Sequence, residues 1–129
     1  MRKDIAGLED IRLFVNEFYN KIQKDDLLSP IFYAHIPGDW QPHLAKMYLF
    51  WNAALFGVKG YLGNPFAKHA HMPLTREYFE RWLYHFNQTI DTYFEGAVAL
   101  DAKKRGFIMA NTFLARLSLM DHNGAKTIV

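Results

Sequence analysis

The sequence predicts an all-α fold, and three observations lead to that prediction. Apolar residues recur at steps of three and four along most of the chain, which is the spacing of one helix face. No stretch alternates between apolar and polar residues with a period of two, as a half-buried strand does. Prolines stand beside the periodic segments, at positions typical of helix starts and stops.

The first two helices are predicted before residue 40. The first covers residues 8–24, and its apolar face is formed by Ile11, Phe14, Val15, Phe18 and Ile22. A second, short helix covers residues 31–33. Ser29 is predicted to cap it, because serine is a favoured N-cap and Pro30 suits the first helical position.

The third helix is predicted from Asp39, its cap, to Phe56, with Pro42 in the first turn. One side of this helix carries His43, Met47, Phe50, Trp51 and Ala54. Glycines at positions 57, 60 and 63 then indicate a loop. Asn64-Pro65 starts another helix, which Pro73 limits to under three turns.

Two longer helices complete the chain. Thr75 is predicted to cap a helix that continues to about residue 95, and its buried stripe is Phe79, Trp82, Leu83, Phe86, Ile90 and Phe94. The last helix is predicted over residues 98–121, with a buried stripe of Phe107, Ala110, Leu114 and Leu117. Helices of such unequal length are unlike those of a regular four-helix bundle.

Length and composition predict one domain with a sizeable core. The chain has 129 residues, of which 50% are hydrophobic, and this excludes a disordered chain. It contains eleven Phe, seven Tyr and three Trp. So many aromatic rings need a large apolar surface, which is provided either by the core itself or by something bound.

Composition also excludes several classes of function. The chain has no cysteine, so it has no disulfides, thiolate metal sites or thiol catalysis. Its net charge is +2 and the charges are scattered, so nucleic-acid binding is not expected. The longest apolar stretch, residues 47–58, is interrupted by Asn52 and is too short to span a membrane. The polar start of the chain indicates a cytoplasmic protein.

Histidines are the best candidates for chemistry. The chain has six, at positions 35, 43, 69, 71, 85 and 122. His43 is a polar group on an apolar helix side, where it needs a partner or a ligand. His69 lies on the short helix after Pro65, a segment too small to be explained by packing alone. His71 lies about 200° around that helix from His69, so only one of the two faces a given cavity, and spacing alone does not choose between them.

Common catalytic motifs are missing from the sequence. It contains no His-Glu-x-x-His, no nucleophile elbow, no Walker loop and no dinucleotide glycine fingerprint. The asymmetric helices, the many aromatic rings and a histidine on a short helix instead indicate a flat apolar prosthetic group held by an imidazole.

An ordered series of motifs then resembles one family. The series is Phe18-Tyr19, Pro30-Ile31-Phe32, Trp40-x-x-His43, Phe50-Trp51, Tyr61-x-Gly63-x-Pro65-x-x-Lys68-His69 and Phe79-x-x-Trp82-Leu83-x-x-Phe86. In order and spacing it is similar to the truncated haemoglobins of group III, over about residues 8–118. The resemblance implies a globin-like two-over-two helical sandwich, with residues 1–129 forming a single haem domain.

The resemblance also implies a set of site residues. His69 matches the proximal histidine that binds the iron of haem b. Tyr19, His43 and Trp82 match the polar residues on the opposite, distal face of the haem, and His43 either donates a hydrogen bond to the ligand or gates the pocket. Candidate walls of the haem cavity are Phe18, Phe32, Met47, Phe50, Trp51, Phe66, Phe79 and Phe86. Lys46, Lys68 and Arg76 are candidates for the propionates, and the sequence does not decide among them.

The function expected from this resemblance is binding of O₂, CO and NO at the sixth iron position. Hydrogen-bond donors around the ligand predict slow O₂ release, which suits redox chemistry on bound O₂, NO or peroxide. Such turnover requires a reductase that this chain does not contain, and the sequence leaves open whether the protein is an enzyme. The alternative is a cofactor-free, all-helical protein-interaction module whose aromatic rings all belong to the core.

Overall fold

Five helices form the part of the chain that the computed structural model describes, which is residues 2–60 and 75–128, with side chains up to residue 115. They are α1 (Leu8–Lys24), α2 (Ser29–His35), α3 (Gln41–Phe56), α4 (Arg76–Tyr93) and α5 (Ala97–Ile128). The only β pairing in these ranges is an isolated bridge between Lys3 and Phe94. The all-α prediction is therefore confirmed. The short helix predicted after Asn64 lies outside the described residues.

Helix α1 has the predicted bounds, and α3 ends at Phe56 as predicted but starts at Gln41, one residue later than a cap at Asp39 implies, with Trp40 as its N-cap residue. Every residue predicted for the apolar face of α1 is buried, and Tyr19 is buried with them. The Asp39 carboxylate accepts a hydrogen bond from the Gln41 backbone N–H at 3.0 Å, so Asp39 stabilises the start of α3 as expected. Gly57 ends α3 in the left-handed conformation with φ 68°, which glycine adopts without steric cost.

The residue that caps α2 was predicted wrongly. Ser29 is already the first helical residue, because its N–H donates to the Asp25 carbonyl at 2.8 Å. The side chain of Asp25 accepts the N–H groups of Leu27 and Leu28 at 2.8 and 2.9 Å. Asp25 therefore caps this turn, four residues earlier than the sequence indicated.

The N-terminal segment determines where α4 ends and α5 begins. Phe94 is extended and pairs with Lys3, so α4 ends at Tyr93 and not near residue 95. The Asp4 carboxylate accepts the N–H groups of Val98 and Ala99, at 2.9 and 2.8 Å, in the first turn of α5. These hydrogen bonds attach the N-terminal segment to the start of α5.

Two pairs of helices, α1 with α3 and α4 with α5, pack on each other as the predicted two-over-two sandwich. Helix α1 contacts α4, α3 contacts α5, and α2 packs against α1. At the centre, Phe14 is fully buried and its ring meets those of Trp51, Phe86 and Phe94 edge to face. No helix in the described ranges is long and apolar enough to cross a membrane.

The buried side of α5 agrees with the prediction in part. Ala110 is buried and Leu114 is half-buried, as predicted, but Phe107 is 55% exposed, and Ala99, Ala102 and Gly106 are buried in addition. Small residues face the core because α4 comes so close: a Cβ at Gly106 would lie 2.9 Å from Cε2 of Phe86. The helix also continues past the predicted end at 121, since a glycine inside a helix costs only about 1 kcal/mol. The side chain of Leu117 lies outside the described residues.

Candidate functional site

A cavity lies between α1, α3, α4 and α5, and it brings together most of the residues predicted for the site. It contains about 750 Å³ of empty space, part of it open to solvent. Of the predicted wall residues, those that line it are Phe18, Phe32, Met47, Phe50, Trp51, Phe79 and Phe86. Tyr19 and Trp82 line it as well. A largely apolar, aromatic lining with a few polar groups is typical of small-molecule and cofactor sites.

Further wall residues were not identified from the sequence. They are Phe14, Val15, Leu28, Tyr78, Met109, Ala110 and Phe113. Phe14 and Val15 belong to the apolar face predicted for α1, so their burial was expected but not their place at the cavity. Ala110 belongs to the stripe predicted for α5, whereas Met109 and Phe113 were missed because they do not belong to that stripe. The true stripe of α5 includes positions 99, 102, 106, 110 and 113.

Aromatic stacking holds the wall of the cavity in place. The rings of Trp82 and Phe86 are stacked 5.4 Å apart and 6° from parallel. On the other side of Phe86, the ring of Trp51 lies 5.1 Å away and 16° from parallel. These three rings come from α3 and α4, so the contact between the helices and the shape of the cavity depend on the same side chains.

Besides Tyr78, two side chains predicted for the distal site carry hydrogen-bond donors and line this largely apolar wall. Tyr19 on α1 carries a hydroxyl and Trp82 on α4 carries an indole N–H. The ring of Phe18 lies between them, 5.1 Å from Tyr19 and 5.2 Å from Trp82. Donors on rigid aromatic rings in an apolar site can fix a small polar ligand at low entropic cost.

His43 lies next to Tyr19 and not on the cavity wall. Its Nε2 is within hydrogen-bond distance, 3.1 Å, of the Tyr19 hydroxyl oxygen, and the two rings are perpendicular. His43 is half-buried and is absent from the residues that line the cavity. The predicted distal residues are therefore together, but His43 reaches the cavity only through Tyr19.

A charge cluster around the buried Asp25, beside the cavity, was missed. Oδ2 of Asp25 accepts hydrogen bonds from Arg81 Nη1 at 2.8 Å and from His85 Nε2 at 2.6 Å. Burial alone would raise the pKa of Asp25, but the hydrogen bonds from His85, Arg81 and two backbone amides outweigh it and hold this pKa far below its ordinary value. The sequence shows that Arg81 and His85 are one helical turn apart. It does not show that Asp25 lies beside them, because Asp25 is distant from both along the chain.

The remaining predicted residues are exposed or lie outside the described ranges. Lys46 and Arg76, two candidates for the propionates, are exposed. The predicted proximal residue His69 and its competitor His71 lie outside the described residues, as do Phe66 and Lys68.

The residues of the cavity fit a haem. A haem is a flat aromatic macrocycle, and aromatic side chains, among them Trp51, Phe86 and Trp82, line this site. The donors of Tyr19 and Trp82 are suited to a small polar ligand beside such a group. An apolar shell of this kind also controls access of solvent to a metal.

Comparison with known proteins agrees with the architecture. Residues 3–112 match the family described as bacterial-like globin. The chain is 31% identical over 117 residues to a group 3 truncated haemoglobin of Campylobacter jejuni, which covers 88% of this chain and 92% of that protein. The crystal structure of the group III truncated haemoglobin from Campylobacter jejuni superimposes with a TM-score of 0.83 at 31% identity, covering 91% of this chain and 95% of that chain.

Fold, sequence match and motif order thus agree over most of the chain. A family match over residues 3–112 supports a haem-binding globin, because globins share a haem site. The chain belongs to the bacterial-like globin family and, within it, to the group III truncated haemoglobins.

Proposed function

We propose that this chain, as one domain, holds haem b in the cavity between α1, α3, α4 and α5 and binds O₂ and other diatomic ligands there. The observation that carries the proposal is a cavity of about 750 Å³ with aromatic walls and the two donors of Tyr19 and Trp82. When bound, the haem would supply an iron whose sixth coordination position takes O₂, CO or NO.

The residues proposed to hold the haem come from several parts of the chain. His69 is proposed as the iron ligand through a neutral imidazole, with its second ring N–H donated to a backbone carbonyl. The aromatic walls, including Phe66, would exclude water from both faces of the ring. Lys46, Lys68 and Arg76 remain candidates for the propionates.

Tyr19 and Trp82 are proposed to retain the ligand. A bound O₂ carries partial negative charge on its outer oxygen, which accepts hydrogen bonds from O–H and N–H groups. Each such bond in a dry pocket contributes about 1–3 kcal/mol, which corresponds to up to about a hundredfold slower ligand release. Slow release favours chemistry on the bound ligand over delivery of O₂.

Turnover of O₂, NO or peroxide is the second part of the proposal. Any such cycle consumes electrons, so we propose that an unidentified reductase supplies them. We also propose a cytoplasmic location. Whether the protein acts as a peroxidase-like or NO-detoxifying enzyme depends on that partner.

The proposal is tested by stopped-flow measurement of O₂ dissociation from the reduced protein loaded with haem. We expect Tyr19→Phe and Trp82→Phe each to raise the dissociation rate constant by about tenfold or more, because each removes one donor and leaves a ring in place. Tyr84→Phe is the matched control, since Tyr84 is an exposed tyrosine on α4. Fast release by the wild type, unchanged in both cavity variants, would show that these donors do not hold the ligand.

A further inference from the structure

The charge cluster of Asp25, Arg81 and His85 joins the corner between α1 and α2 to helix α4. The Asp25 side chain is only 3% exposed and accepts four hydrogen bonds. Two come from the backbone of the corner, and two come from side chains of α4. Because a carboxylate only accepts hydrogen bonds, Arg81 donates from Nη1 and His85 donates from Nε2.

Two residues of the cluster, Arg81 and His85, lie on either side of Trp82 in the sequence of α4. Arg81 and His85 are four residues apart and lie on one face of α4. Trp82 and Phe86 are each one residue further along, about 100° around the helix, and their stacked rings line the cavity. Rotation of α4 about its axis would therefore move the indole of Trp82 and break the hydrogen bonds to Asp25 at the same time.

We propose that Asp25 is a positioning residue: acting through Arg81 and His85, it fixes the rotation of α4 that directs the indole N–H of Trp82 into the ligand cavity. This inference rests on the proposed function, in which Trp82 donates to the bound ligand. Asp25 itself does not line the cavity, and its neighbour Leu28 does.

Stability alone does not account for such a cluster. A protein in which well-packed apolar residues replace a buried ion pair is often as stable as the original or more stable, because burying the charges costs them their hydration. What hydrogen bonds add is direction, since each requires a defined distance and angle. Apolar contacts of Trp82 with Phe18 and Phe86 tolerate sliding, whereas the bonds of Arg81 and His85 to one carboxylate oxygen do not.

The test is a double-mutant cycle on the O₂ dissociation rate constant of the protein loaded with haem. Asp25→Asn keeps the shape of the side chain but presents an amide N–H or a neutral oxygen to the donors of α4. Arg81→Gln removes the guanidinium charge and shortens the side chain, so that it no longer spans the distance to Asp25. Because the Arg81 side chain is 42% exposed, we expect this variant to fold even where Asp25→Asn does not. Each is combined with Trp82→Phe, and Asp91→Asn serves as control because Asp91 is an exposed carboxylate on the same helix.

We expect Asp25→Asn and Arg81→Gln each to raise the dissociation rate constant about three- to tenfold with Trp82 present, and by less than about twofold in the Trp82→Phe background. The C–O stretching frequency of the ferrous CO complex should shift in the same direction as in Trp82→Phe. Asp91→Asn should match the wild type in both measurements.

Two outcomes overturn the inference, and they are distinguishable. If Trp82→Phe accelerates release but Asp25→Asn and Arg81→Gln do not, or if they accelerate it equally in both backgrounds, Asp25 does not act through Trp82. If Trp82→Phe itself leaves the rate and the stretching frequency unchanged, the role proposed for Trp82 fails and the inference fails with it.

Discussion

His43 and Tyr19 share one hydrogen bond at the edge of the cavity. This contact helps to decide whether the histidine donates to the ligand directly or acts on it through Tyr19. A histidine that donates to the ligand must reach the cavity itself. Here Nε2 of His43 lies 3.1 Å from the Tyr19 hydroxyl, and only Tyr19 lines the wall. The structure therefore favours an indirect role, in which His43 acts on the ligand through Tyr19.

The first prediction, at the residue scale, concerns His43→Leu. We expect the O₂ dissociation rate constant to stay within about twofold of the wild type, because the donors of Tyr19 and Trp82 remain. The association rate constant should rise, since a polar side chain hydrogen-bonded at the edge of the cavity is removed. Laser photolysis and stopped-flow mixing measure both constants, and a tenfold faster dissociation would instead make His43 a direct donor.

For single residues, the sequence predicted site residues that belong to a local pattern or a motif. It missed residues whose contacts lie far away along the chain. Tyr19 and Trp82 were found because their motifs have a fixed order and spacing. Asp25 was missed because its partners on α4 lie 56 and 60 positions further along the chain. No local pattern marks a carboxylate that becomes buried only when α4 packs against the corner between α1 and α2.

At the scale of helices, Gly106 determines how closely α5 approaches α4. Its missing side chain lets the buried ring of Phe86 lie against the α5 backbone. The sequence pattern was misleading here, because the large residue Phe107 suggested the wrong face for burial. A stripe of small residues carries little hydrophobic signal, although it allows the closest packing.

The second prediction is that Gly106→Ala destabilises the fold. Alanine gains about 1 kcal/mol of helix propensity, but its methyl group would overlap the ring of Phe86, and overpacking of this kind costs about 1–3 kcal/mol. We expect a net loss of about 1 kcal/mol in the free energy of unfolding, measured by denaturant titration with circular dichroism.

The control for this variant is Lys104→Ala, an exposed position two residues earlier on the same helix. It should change the free energy of unfolding by no more than about 0.5 kcal/mol. A stabilised Gly106→Ala protein would mean that α4 and α5 are further apart than described.

The third prediction concerns the pH dependence of the link between Asp25 and α4. The pKa of Asp25 is held far below its ordinary value of 3.8, so its contribution to stability is complete above that value and is lost as the pH falls below it. At pH 7 we expect Asp25→Asn to lower the free energy of unfolding by about 2–3 kcal/mol. The difference in the free energy of unfolding between Asp25→Asn and the wild type should become smaller as the pH falls below 3.8.

Asp91→Asn is the control, because Asp91 is exposed and pairs with Lys103 at the surface. This substitution should lower the free energy of unfolding by less than about 1 kcal/mol at any pH. An Asp25→Asn protein as stable as the wild type at pH 7 would contradict a stabilising role for the cluster.

At the scale of the whole molecule, the aromatic residues account for both the fold and the cavity. Phe14 and Phe94 pack in the centre, while Trp51, Phe86 and Trp82 form a continuous stack along the cavity wall. Composition alone predicted a large apolar surface, and helical periodicity predicted most of the buried rings but wrongly included Phe107. Neither shows where the core leaves a space, because a cavity depends on how four helices cross.

The central claim is that this space holds haem with His69 as the iron ligand, and a titration of the purified protein with hemin tests it most directly. In the wild type and His71→Ala, the Soret band of the added hemin should sharpen and shift on binding, and reduction under CO should give the ferrous CO spectrum of a globin. His69→Ala should lose that spectrum, because it lacks the proposed imidazole ligand. A wild-type titration in which the Soret band stays that of free hemin would contradict the account and favour the cofactor-free interaction module, and loss of the spectrum in His71→Ala with retention in His69→Ala would contradict the assigned ligand.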